Sequence, residues 1–125
     1  MKCILLSCFL LTATLAGINK SFAQTTTVSA SDFTAKTNQL DAQIASGDKT
    51  AAQATWNMLQ HMIITELGVT KGKIQNAATP ADKTTYENRM TNQKSIYKSV
   101  WALKNDLTTN RAAIHTQLGL FAATF

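Results

Sequence analysis

The chain has 125 residues, with 12 lysines and arginines against 7 carboxylates and a net charge of +5. This length suits one domain with a modest hydrophobic core. The basic residues are scattered rather than gathered in a stripe, and no nucleic-acid-binding motif is present, so the composition argues against binding of DNA or RNA.

The first 23 residues follow the order of a secretory signal: a short basic start, an apolar run over 4–16, and small residues ending at Ala23. We therefore expect cleavage after Ala23 and a periplasmic or secreted protein, with an uncleaved N-terminal anchor as the alternative. Both cysteines, Cys3 and Cys8, lie in this segment, so the remaining 102 of the 125 residues contain none. Two lysines leave with the signal, which lowers the net charge from +5 to +3.

Residues 24–30 are polar and rich in threonine, which predicts a disordered lead-in before a helical domain over 31–118. Helix 1 is predicted to begin near Ser29 or Ser31, since either hydroxyl can cap a helix, and to end at Gly47. Its inward-facing positions recur at spacings of 4, 3 and 4 and are Phe33, Thr37, Leu40 and Ile44.

Helix 2 is predicted from about Lys49, with one apolar stripe through Ala52, Trp56, Leu59, Ile63 and Leu67 and a second through Met58, Met62 and Val69. Two stripes indicate contact with more than one neighbouring helix. Gly68 and Gly72 weaken the helix, but Ile74 stays in register, which favours continuity to about Ala77 over a break at the glycines. Polar residues interrupt the stretch, so we expect no membrane span once the signal is cleaved.

Thr79-Pro80 marks the start of helix 3, because proline is favoured in the first helical turn. From Tyr86 to Leu118 a repeat of 3.5 residues favours one unbroken helix; the alternative is a break at 105–110 that creates a fourth helix. Gly119 is expected to end the helix and leave 119–125 as an apolar tail. The predicted fold is therefore all-α: a small antiparallel three-helix bundle with a short helix 1 and long helices 2 and 3.

Met58, His61 and Met62 lie within about 100° of one another on a helix. Thioether and imidazole ligands suit copper, and an exported protein meets the oxidising conditions in which such sites occur. The competing interpretation is that both methionines fill gaps in the core, with His61 at the solvent edge.

The other histidine, His115, follows Arg111 by one helical turn in the segment Thr108-Thr109-Asn110-Arg111-Ala112-Ala113-Ile114-His115. These eight residues resemble the last helix of the periplasmic four-helix b-type cytochromes, in which an arginine precedes a haem-ligating histidine by one turn. The resemblance implies His115 as a haem ligand. The family's second ligand is a methionine near the start of its first helix, and the matching region 31–40 has Phe33 and no methionine.

A catalytic constellation is not recognisable, and most carboxylates stand at predicted helix starts or at exposed positions. Glu66 differs because it lies beside the apolar stripe of helix 2. Apolar neighbours could raise its pKa, and the alternative is a carboxylate at the edge of the stripe near Lys71 or Lys73. We therefore expect a non-enzymatic protein that acts through contacts with a protein partner, the cell envelope or a second copy, and an exported copper- or haem-binding bundle is the alternative. The candidate interaction surface is Met58, Met62, Val69, Ile74, Tyr86 and Met90.

Overall fold

A computed structural model describes residues 27–125, and all regular structure in this part of the chain is α-helical. The four helices found there are α1 (Ala30–Ser46), α2 (Lys49–Gln75), α3 (Pro80–Ala102) and α4 (Arg111–Ala122). The predicted signal, its cleavage site and both cysteines lie outside the described residues.

The first two helices begin and end as the sequence predicts. The Ser29 hydroxyl caps α1 by accepting from the Asp32 backbone N–H at 3.0 Å. Gly47 ends α1 with φ of 77°, in the left-handed region that costs glycine little. Asp48 then caps α2 by accepting from the Ala51 backbone N–H at 3.0 Å.

Helix α2 runs without interruption through Gly68 and Gly72 to Gln75, which confirms the prediction of continuity. The boundary to α3 is also confirmed, because Thr79 caps the helix and Pro80 is its first residue. The side chain of Gln93, which sits in the predicted helical seam, is completely buried.

The prediction of one unbroken third helix, and with it the three-helix arrangement, is wrong. The chain leaves the helix after Ala102 and starts α4 at Arg111, so the alternative with a break near 105–110 describes the structure. Within the break, the Asp106 carboxylate accepts from the Thr109 backbone N–H at 2.9 Å and from its hydroxyl at 2.7 Å. Such local side-chain hydrogen bonds provide partners for backbone N–H groups that no helix satisfies.

The predicted end of the last helix at Leu118 is also wrong, since α4 continues through Gly119 to Ala122. This continuation brings Phe121 into the core, where its ring centroid lies 5.3 Å from that of Phe33 in α1. Burying a phenylalanine is worth roughly 1.5–3 kcal/mol, which exceeds the cost of about 1 kcal/mol for a helical glycine. The Phe125 ring joins the pair, 5.5 Å from Phe33.

Each helix packs against two others: α1 against α2 and α4, and α3 against α2 and α4. The buried core between them holds Phe33, Leu40, Ile44, Ala52, Trp56, Leu59, Ile63, Ile96, Val100, Ile114, Leu118 and Phe121. Among the described residues before α1, Val28 is half-buried against this core.

The α2/α3 hairpin extends beyond the other two helices. Helix α2 has 27 residues and α1 has 17, so the last ten residues of α2 have no counterpart in α1. The Gln93 side-chain amide donates to the Thr124 hydroxyl at 3.0 Å, which places the end of α4 level with Gln93. Residues 67–92 therefore form a two-helix projection, the hairpin arm.

Candidate interaction surface

The methionines and histidine predicted as copper ligands point mostly away from the core. Met58 is 53% exposed, His61 is exposed, and Met62 is half-buried against the core. Residues 27–125 contain no group of three or more histidine, cysteine or carboxylate side chains arranged to hold a metal ion.

His115 lies on the opposite side of the molecule, on the α1/α4 face. Its Nε2 is 3.4 Å from the Asn38 Oδ1, and its ring is exposed. Arg111, one turn earlier, donates two hydrogen bonds of 2.7 Å to the Asp41 carboxylate. These bonds lower the pKa of Asp41 below its ordinary value of 3.8. Helices α2 and α4 do not pack against each other, so the structure does not bring His61 and His115 together.

A cavity of about 360 Å³ opens at the end of the molecule where the α1–α2 turn meets the loop 103–110. Lys49, Lys104 and Asp106 contribute its charged groups. Hydrogen bonds from the Thr109 backbone and hydroxyl lower the pKa of Asp106, which therefore stays ionised in its role of holding the loop. This volume lies within the range of small-molecule sites, but its charged side chains are exposed.

Glu66, the carboxylate singled out in the sequence, is buried rather than at the solvent edge, and its partner is neither Lys71 nor Lys73. The residue is 3% exposed and accepts a hydrogen bond from the Arg89 guanidinium of α3. The two side chains are 5% and 19% exposed. Pairing with Arg89 compensates for the burial of the Glu66 charge. The pair lies where the hairpin arm begins.

The largest exposed aromatic side chain among the described residues is Trp101 of α3, which is 42% exposed. It follows Tyr97 by one helical turn, and the two ring centroids are 6.0 Å apart. The Tyr97 side chain is half-buried. We call Tyr97 and Trp101 together the Trp101 patch.

Three lysines lie near the Trp101 patch, and the first carboxylate after it in the chain is Asp106, which lines the cavity together with Lys104. The Lys104 ammonium lies 3.9 Å from the centroid of the Trp101 ring. Lys94 and Lys98 are exposed and precede Trp101 by seven and three residues, the spacing of one helix face. No carboxylate occurs in the sequence between Glu87 and Asp106, and no acidic residue occurs in α2 before Glu66.

The other predicted contact residues, Val69, Ile74, Tyr86 and Met90, lie in the hairpin arm and are each half-buried. The arm thus covers part of its own apolar surface. Within it, the Lys73 ammonium lies 6.0 Å from the Tyr86 ring centroid.

Sequence reasoning missed Trp101. The 3.5-residue repeat assigns Tyr97, Val100 and Lys104 to the seam and leaves Trp101 one position beside it. A tryptophan outside the seam and flanked by lysines is the signal that points to a surface role.

None of the described helices is long and apolar enough to cross a bilayer. Comparisons with protein-family models, curated proteins and solved structures give no match.

Proposed function

We propose that this is a small exported protein without enzymatic activity, and that it acts by contact of the Trp101 patch with the cell envelope. The observation that carries the proposal is the 42% exposure of Trp101, whose ring lies beside that of Tyr97 and under the Lys104 ammonium. Neighbouring exposed apolar residues within a polar rim are typical of contact surfaces, and tryptophan is enriched there.

Three other large apolar residues are exposed in the part of the chain that the structure describes, and they provide a comparison. Met58 and Ile64 in α2 are 53% and 54% exposed, and Leu120 in α4 is 51% exposed. Single exposed apolar side chains of this kind are found on any protein surface. The Trp101 patch differs because two aromatic rings lie together there beside a lysine.

Fractionation of the producing cells tests the proposal. The variant W101A removes the exposed member of the patch, and L120A removes one exposed apolar residue elsewhere. We expect the wild-type protein and L120A to sediment with the envelope, and W101A to move to the soluble exported fraction. Equal distribution of all three proteins would contradict the proposal, provided that circular dichroism shows equal helix content.

A further inference from the structure

We propose that the partner of the Trp101 patch is an anionic phospholipid surface, to which the protein binds peripherally. This inference rests on the proposed function and specifies its partner. Three features of the patch carry it: its charge, the kind of cation it uses and the position of its aromatic rings.

The charge near the patch is predominantly positive. Lys94, Lys98 and Lys104 lie within seven residues of Trp101 along the chain, a stretch in which Asp106 is the one carboxylate. A surface of this sign attracts an anionic partner, and each lysine close to an anionic bilayer adds to the binding.

The cations are lysines, whereas both arginines of the chain are engaged inside the protein. Arg89 pairs with Glu66 and Arg111 pairs with Asp41. Arginine suits fixed, bidentate pairing with a carboxylate on a protein, while lysine is a flexible point charge. A rim whose cations are all lysines therefore fits laterally mobile lipid phosphates better than the fixed carboxylates of an acidic protein.

The aromatic rings lie where an interfacial anchor needs them. Trp101 and Tyr97 have apolar rings with a polar end, a combination that favours the headgroup level of a bilayer. The Lys104 ammonium above the Trp101 ring puts a cation beside the anchor, so that the ring and a phosphate can be engaged together.

Tryptophan fluorescence with brominated lipids tests this inference in the full chain. The two tryptophans differ in burial, since Trp56 is 2% exposed and Trp101 is 42% exposed. Bromine on the acyl chains quenches a tryptophan that enters the bilayer. We expect vesicles of phosphatidylglycerol to quench the wild-type protein, vesicles of phosphatidylcholine to leave it unquenched, and the quenched component to be absent from W101F.

Charge-matched variants measure the contribution of the lysines. Each lysine contributes roughly fivefold in partitioning, so K94Q/K98Q/K104Q is expected to bind phosphatidylglycerol vesicles on the order of 100-fold more weakly. The control K36Q/K71Q/K83Q loses the same charge away from the patch and is expected to lose less than tenfold. Because every variant has the same N-terminal segment, the comparison does not depend on whether that segment binds lipid.

Three results would overturn the inference: absence of binding to phosphatidylglycerol vesicles, equal losses in the two triple variants, or stronger binding to polyglutamate than to vesicles of equal charge. If any of these occurs while envelope retention still depends on Trp101, the contact surface stands and only its lipid partner is wrong. If retention is independent of Trp101, the proposed function itself fails.

Discussion

The buried ion pair between Glu66 and Arg89 allows the sharpest prediction about stability. Substituting Arg89→Met removes the guanidinium but keeps an apolar stem of similar reach. The Glu66 carboxylate, in a residue that is only 3% exposed, is then left without a cation inside the protein. An uncompensated buried charge of this kind costs about 3–5 kcal/mol. That is a large fraction of the 5–15 kcal/mol that stabilises a typical domain.

The reverse substitution and the double variant separate the pair from its surroundings. In E66Q the unpaired Arg89, whose side chain is 19% exposed, can reach solvent more easily, so we expect a smaller loss of about 1–3 kcal/mol. In E66L/R89M both charges are absent, and apolar replacement of a buried pair is often neutral. We therefore expect the double variant to be more stable than R89M by at least about 2 kcal/mol.

Urea unfolding measures these differences by circular dichroism and by the fluorescence of the buried Trp56. The control is K83M, which breaks the exposed pair between Lys83 and Glu87, whose side chains are 58% and 53% exposed. Exposed pairs contribute little, so K83M is expected to change stability by no more than about 0.5 kcal/mol. A loss below about 1 kcal/mol in R89M, or a double variant E66L/R89M that is no more stable than R89M, would refute the buried ion pair as the cause.

Three further predictions concern the backbone, the surface and the α3–α4 break. We expect G68A to stabilise the protein by about 0.5–1 kcal/mol, because a Cβ at this helical position meets nothing within 4 Å. G47A is expected to destabilise it, because the φ of this residue is +77°. The Arg111 guanidinium lowers the pKa of Asp41, so the ionised carboxylate stabilises the folded protein. We expect the wild-type protein to be more stable than D41N above pH 3.8, and this difference to shrink as the pH falls below 3.8. Replacing the polar residues of 105–110 with alanine should join α3 to α4 and give a dimer in which α4 packs on a second chain.

Chemical denaturation checks the first two predictions, with the D41N comparison repeated from pH 7 to pH 2.5, and light scattering after size exclusion checks the third. Stabilisation by G47A would contradict the left-handed turn. A difference between D41N and the wild-type protein that grows as the pH is lowered would contradict the ion pair. A monomer with unchanged helix content after alanine replacement would show that the loop sequence does not cause the break.

Local patterns predicted the parts of the fold that local chemistry determines. The spacing of Phe33, Thr37, Leu40 and Ile44 identified the buried face of α1 completely. The capping residues Ser29, Asp48 and Thr79 located three helix starts, because each side chain binds a backbone N–H within three residues.

The apolar repeat continues across the residues between α3 and α4, so the sequence pattern favours one unbroken helix there rather than a break. What favours the break is distant in sequence: α4 packs on α1, with Arg111 bound to Asp41 and Phe121 against Phe33. A periodic pattern shows which face of a helix is apolar but not which helix covers it.

The same limit applies to the candidate surface. The 3.5-residue repeat places Trp101 beside the seam of helix 3, but only the structure shows its ring beside Tyr97 and under the Lys104 ammonium. The sequence also suggests Lys71 or Lys73 of the same helix as the partner of Glu66, whereas the observed partner is Arg89 of α3.

Site-specific photo-crosslinking in the producing cells tests the central claim most directly. A photoreactive phenylalanine analogue is placed in turn at Met58, Trp101, Ile64 and Leu120, the four large apolar residues that are most exposed in the described chain. We predict crosslinks to envelope components from position 101, and none above background from positions 58, 64 and 120. Absence of crosslinks from position 101, or crosslinks of equal strength at all four positions, would contradict the claim.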